Sequence, residues 1–275
     1  MEAHKHLPPG PIREVLDKNE GKFPPVDPKR LGFYRFTSAV ANGNAGENRK
    51  VEATLVTADS EMPLKKAYLW LQESCKKAGL DQIPPLVVIT GAHNNNGRFV
   101  KTEEGVHLVI ETTDQEIHPS AKGIIAHELK HGLLDSSMNP WQAEYACDKF
   151  ACDVCGESYM RNVYFPYFIA VALDRPVLAD IPLEKILFHD EFYGFRRLID
   201  DAETDRSFDD KAHPSIVKRI HNILGKDAFP GSFEELDALR DRSRSKAGWS
   251  DSVGDKKSPA QRGGSNSASS GSKTV

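Results

Sequence analysis

Apolar residues recur at a helical period over residues 63–77, where Leu64, Ala67, Trp70, Leu71 and Cys75 fall on one stripe. Ser60 is placed to cap this helix and Gly79 to stop it. The pattern then changes period. Residues 85–90 (PLVVIT) are continuously apolar and residues 106–112 (VHLVIET) alternate, so both predict strands. A helical pattern resumes at about Pro119 and runs through GIIAHELKH. The next helix is marked at both ends: Asn139 as cap, Pro140 at the first helical position, Gln142 three residues after the cap, and Gly156 as the stop. Further helical patterns cover 161–173, 183–202 and 215–224. Strands followed mostly by helices predict an α+β fold, a small sheet packed against a mainly helical body.

The two ends of the chain differ from this middle. Residues 1–50 are rich in Pro, Gly, Asn and charge, with one short apolar segment at 31–36, and read as an irregular extension. From about Arg240 the chain is dominated by Ser, Gly, Lys, Asp and Arg. So few large apolar side chains cannot offset the entropy of ordering, and residues 240–275 are expected to be a disordered tail. The predicted domain therefore spans 51–239, and no internal repeat divides it.

Composition narrows the setting. A net charge of −4 over 275 residues argues against a nucleic-acid binder, which needs a basic excess or a basic stripe. The first thirty residues hold no apolar run suited to a signal peptide. The longest nearly apolar stretch, 163–173, is far short of the roughly 20 residues that span a bilayer, and Pro166 interrupts it. A soluble, cytoplasmic protein is expected, with no membrane span. The four cysteines, at 75, 147, 152 and 155, do not form a spread-out disulfide framework and are expected to be reduced.

The chemistry starts at His127-Glu128-Leu129-Lys130-His131. On a helix, residues four apart share a face, so His127 and His131 can offer imidazole nitrogens to one ion. Glu128 lies about 100° round the helix, off the ligand face but able to take a proton from a water beside the ion. A third protein ligand is needed. A metzincin pattern would require histidine at 137, and Ser137 excludes it. A glutamate on the following helix is the other common solution. Glu144 lies near the start of that helix, and Asp148 follows one turn later on the same face, placed to accept the N–H of a ligating imidazole. Thirteen residues separate His131 from Glu144, so the two helices must pack side by side, with Gly132 and the Asp135-Ser136-Ser137 turn making the reversal.

His127-Glu128-x-x-His131 followed by Glu144-x-x-x-Asp148 resembles the M48 group of zinc metallopeptidases, which belong to the gluzincins. His213-Pro214-Ser215-Ile216-Val217-Lys218-Arg219-Ile220 is similar to that group's downstream His-Pro-x-x-x-x-Arg-Ile pattern. The resemblance covers roughly residues 60–224. It implies a zincin-like fold, one zinc ion held by His127, His131 and Glu144, and Glu128 as the base. It also implies that His213 stands near the metal, as a donor to the oxyanion or a reversible ligand, and that Arg219 pairs with a carboxylate of the site. Tyr164, Tyr167 and Tyr193 are further candidate oxyanion donors, and no spacing selects among them. Residues 93–100 (HNNNGRFV) would form an edge strand on which an extended peptide pairs, with Asn96, Gly97, Arg98 and Phe99 as its substrate-binding part. The chain departs from the group in lacking membrane segments and a longer insertion after His131. Cys147 also stands where the group usually has alanine.

Cys152 and Cys155 are spaced like half of a zinc or redox site, but they close a helix and lack the other half. Cys147, Ala151 and Cys155 lie along one stripe, as a seam of small residues does, and read as buried structural thiols. The expected function is a zinc-dependent endopeptidase acting on a protein or peptide, with no nucleic-acid partner. The alternative is a non-proteolytic zinc-binding module of the same fold, its groove blocked by residues 1–50. An effector-type protease acting on one specific protein is a further variant of the first.

Overall fold

The structure is a computed structural model that describes residues 52–90, 96–102, 105–112, 117–135, 137–190, 192–203 and 213–246. The expected N-terminal extension with its apolar segment, His93–Asn95 of the expected edge strand, and the chain beyond 246 lie outside them.

Four strands form one sheet in the order β1-β2-β4-β3: β1 (Glu52–Val56), β2 (Leu86–Thr90), β3 (Asn96–Thr102) and β4 (Gly105–Thr112). β2 and β4 run parallel at the centre, while β1 and β3 are antiparallel edges. Central position explains the continuous apolar run of β2, since a strand covered on both faces has no polar side to show. β1 escapes the sequence pattern. Its five residues, EATLV, are too few to establish a period and follow a stretch rich in Asn and Gly.

Helix α1 (Leu64–Lys77) buries Ala67, Leu71, Ser74 and Cys75. Gly79, at φ +71°, ends it, and the Leu80 amide bonds back to the Cys75 carbonyl at 2.9 Å. Ser60 does not cap this helix as expected. Its hydroxyl instead accepts the Thr57 amide at 2.9 Å, closing the turn before the helix. Helix α2 (Ala121–His131) is buried along most of its length, including Ile124, Ile125, Ala126 and Leu129, and packs beside α1 and β3. Tyr159 pins its start by donating to the Pro119 carbonyl at 2.7 Å and accepting the Gly123 amide at 2.9 Å.

Helix α3 (Pro140–Cys155) keeps the expected boundaries. Asn139 caps it by accepting the Trp141 amide at 3.0 Å, and Gly156, at φ +89°, ends it. The pattern over 161–173 is less regular than expected: a π turn at Met160–Tyr164 leads into α4 (Phe165–Leu173). Pro166 has no N–H to bond one turn back, so the turn before it widens.

The single helix expected over 183–202 is two. Leu183–Ile186 makes one turn, and α5 (Phe192–Glu203) follows. Between them, Phe188 and His189 bond to carbonyls three residues back, and Leu187 is buried on its own account. Helix α6 (Ile216–Leu224) starts at Ser215, whose hydroxyl accepts the Lys218 amide at 3.3 Å. The disordered tail was expected from about Arg240, but α7 (Phe233–Lys246) runs on past it. Burial of Leu236, an Arg196–Asp237 ion pair at 3.0 Å and Arg240 stacked 4.0 Å over Phe192 hold its length to α5.

The result is α+β and mostly helical, with one main core spreading from β2 and β4 through α1 and α2 into the C-terminal helices. Among the described residues no helix is long and apolar enough to cross a membrane.

Candidate metal centre

The site forms where α2 and α3 pack against each other. On α2, His127 and His131 stand one turn apart, and their Nε2 atoms are 3.0 Å from each other. On α3, Glu144 faces both: its Oε1 lies 3.1 Å from His131 Nε2 and its Oε2 3.4 Å from His127 Nε2. Ligands about 2.0–2.1 Å from a tetrahedral ion stand roughly 3.3–3.4 Å from one another. These three side chains, with donor atoms 3.0–3.4 Å apart, come close to that spacing or slightly inside it, and all three are buried.

Asp148 follows Glu144 by one turn and serves the other side of His127. Its Oδ1 accepts from His127 Nδ1 at 3.0 Å. When the ring is neutral, that bond selects the tautomer with its proton on Nδ1, whose Nε2 lone pair faces His131 and Glu144. Arg219, from α6, reaches in with two bonds to Asp148, Nε to Oδ2 at 2.7 Å and a second nitrogen to Oδ1 at 2.6 Å. Its other terminal nitrogen lies 3.7 Å from Glu144 Oε2.

Tyr164 completes this inner layer. Its hydroxyl donates to Asp148 Oδ1 at 3.1 Å, lies 3.2 Å from His127 Nδ1, and accepts from Arg219 at 3.4 Å. The tyrosine can lie there because Gly123 has no side chain; a Cβ on it would meet the Tyr164 ring.

Electrostatics follow from this packing. Burial opposes charge on His127, but Glu144 and then Asp148 outweigh it and hold the imidazole up at about 10. Burial likewise opposes ionisation of Glu144, and the neighbouring imidazoles and Arg219 reverse this, keeping its carboxyl far below the usual range. Asp148 is held down at about 2, burial again being overcome, here chiefly by Arg219. Glu128 is different: desolvation pushes its carboxyl up, with the two imidazoles pulling only partly against it. Two carboxylates held ionised, Glu144 and Asp148, thus face the Arg219 guanidinium and the His127 imidazole, while Glu128 beside them is pushed toward its neutral form.

His213 stands at the open side. Its Nε2 is 3.5 Å from Glu144 Oε1, and its side chain is 57% exposed, so the centre faces solvent there. The edge strand β3 lies against α2. A Cβ on Gly97 would come 2.8 Å from Glu128 Cγ and closer still to Ile124, and a Cβ on Gly132 would enter the Phe99 ring. Two bare backbone positions therefore let the strand settle on the helix. Asn96 and Arg98 occupy β3 opposite Glu111 and Val109 of β4.

The residues singled out in sequence thus divide. His127, His131, Glu144, Asp148, Arg219 and His213 converge, and Gly97 and Phe99 border them. Of the three tyrosines, Tyr164 is brought in, but on the Nδ1 side of His127, away from where an oxyanion would form. Tyr167 instead packs on His118, their ring centroids 5.2 Å apart, and Tyr193 is 83% exposed.

Cys147 is more than a packing residue. It is fully buried, and its sulfur and one donor atom from each of His127 and His131 all lie within 4.8 Å of one another, a group able to hold a metal ion. Burial and the surrounding carboxylates push its thiol far above the ordinary range. The helical spacing that selects Glu144 and Asp148 puts residue 147 on the same face, and that is the signal the sequence offers. Cys152 and Cys155 are both free thiols at the far end of α3, only partly exposed, and burial pushes Cys155 up to about 12.

No family model, no curated protein and no solved structure matches the chain.

Proposed function

We propose that the chain is a zinc-dependent endopeptidase of the M48 type, with a zincin-like fold in which an edge strand lies beside the metal-binding helix. The observation that carries this reading is the convergence of His127 Nε2, His131 Nε2 and the Glu144 carboxylate within 3.4 Å, with Asp148 bonded to the far nitrogen of His127.

His127, His131 and Glu144 are the residues that hold the ion. Bound there, zinc supplies a Lewis acid for a peptide carbonyl and lowers the pKa of water. Glu128, turned off the ligand face, takes the proton from the attacking water and passes it to the leaving amine nitrogen. A carboxyl raised by desolvation suits both halves of that transfer. His213, on the solvent side, donates to the oxygen on which charge develops. Asp148 and Arg219 fix the tautomer and orientation of His127. β3 is an edge strand of the sheet among the described residues, and over Asn96, Gly97, Arg98 and Phe99 it is the strand along which an extended protein or peptide substrate would pair.

The test is metal content together with cleavage. The purified chain should carry about one zinc and cleave members of a proteome-derived peptide library, and Glu128→Gln should keep the zinc while losing roughly 10²–10⁴-fold in rate. A zinc-free protein, or undiminished cleavage by Glu128→Gln, would sink the proposal. Cys147 favours one rival, a non-proteolytic zinc-binding module, because four protein donors make a closed structural site. Zinc uptake without any cleavage selects that rival.

A further inference from the structure

Helix α3 presents Glu144, Cys147 and Asp148 at positions i, i+3 and i+4, all on the face turned to α2. Their duties differ by position. Glu144 meets the Nε2 side of the imidazoles and Asp148 meets the Nδ1 side of His127. Cys147 lies between them, shielded from solvent, with its sulfur inside the donor group formed with His127 and His131. Cys75 and Cys155 make no such group among the described residues. A small residue at 147 would satisfy packing alone, whereas a sulfur there adds a soft donor to two borderline ones.

We propose that Cys147 is a fourth protein donor to the metal, closing the centre at rest and giving up its position when the site turns over. This rests on the peptidase reading and adds a regulated coordination position to it. In closing, the S–H bond breaks, a sulfur–metal bond forms and the proton leaves to solvent; opening reverses each change. A soft thiolate also tightens the hold on zinc, so the residue trades turnover for metal retention.

Cobalt(II) tests the proposal without relying on activity. The metal-free full-length chain, titrated with cobalt, should take up about one ion and show a sulfur-to-cobalt charge-transfer band in the near ultraviolet. Cys147→Ala and the isosteric Cys147→Ser should bind cobalt without the band, and Cys155→Ala should keep it. Zinc affinity, measured by chelator competition, should fall in both 147 variants by at least the roughly 10–100-fold of an outer-sphere change. Per bound zinc, both should cleave peptide faster than the parent.

Stoichiometric cobalt binding with no band in the parent, or with the same band in Cys147→Ala, overturns the fourth donor and leaves the peptidase reading standing. Failure of the parent to bind cobalt overturns both. If the band behaves as expected but no variant cleaves peptide, the fourth donor stands and the peptidase reading falls.

Discussion

The two nitrogens of His127 look into opposite surroundings. Nδ1 faces Asp148, Arg219 and Tyr164, all buried, with Asp148 Oδ1 alone accepting from three donors. Nε2 faces His131 and Glu144, beyond which His213 opens to solvent. The inner side is a closed charge network in which each ionised group has a partner. The outer side brings the donor atoms of three side chains within 3.4 Å of one another, with Arg219 reaching Glu144 only at 3.7 Å, and the helix that carries two of them borders the edge strand. On the proposed reading the inner side fixes geometry and the outer side performs the chemistry, so substitutions on the two sides should fail in different ways.

The largest effect should come from breaking the inner network. Arg219→Met leaves Asp148 buried with its main counter-charge gone, and breaking a buried pair in this way costs about 3–5 kcal/mol. Urea unfolding of the metal-free chain should show that loss directly. A loss under about 1 kcal/mol would mean that the network contributes little to the fold, and the contrast between the two sides would collapse.

A smaller effect should come from the border between β3 and α2. Gly97→Ala forces a methyl against Ile124 and Glu128, and overpacking of this kind costs about 1–3 kcal/mol. The displaced groups are the edge strand and Glu128, and neither is a ligand to the ion in the proposed mechanism. Peptide cleavage should therefore fall by more than zinc affinity does. Equal losses of both would show that β3 supports the ligands themselves.

This division also explains what the sequence discloses. His127, His131, Glu144 and Asp148 are legible because helix periodicity converts spacing into a shared face, and the marked caps of α3 fix its register. Arg219 and His213 need the downstream motif, since nothing local says that α6 returns to α3. What stays hidden depends on tertiary fit. The π turn that sets Tyr164 under α2 exists together with a bare Gly123, a pairing 41 residues apart that no local pattern encodes. The break before α5 is hidden for a related reason: Leu187 is apolar and buried, so the pattern runs on while the backbone turns. Cys147 shows only its small size in the sequence, and the approach of α2 is what reveals its sulfur among the donors.

Tyr164 gives the smallest expected effect and the most direct test of which side a residue serves. Tyr164→Phe keeps the buried ring beside Phe165 and Phe168 and removes one hydroxyl. Asp148 Oδ1 keeps its bonds from His127 and Arg219, so the stability cost should be about 1.5 kcal/mol, at the bottom of the range for bonds to charged groups. If Tyr164 positions His127 through Asp148, zinc affinity should drop by roughly tenfold, while kcat at saturating zinc stays within about twofold. An oxyanion donor would give the reverse, with kcat falling and zinc affinity unchanged, because such donors act only on charge that develops in the reaction. The hydroxyl lies 3.2 Å from Nδ1, on the far side of the imidazole from the donor cluster, and that position selects the first outcome.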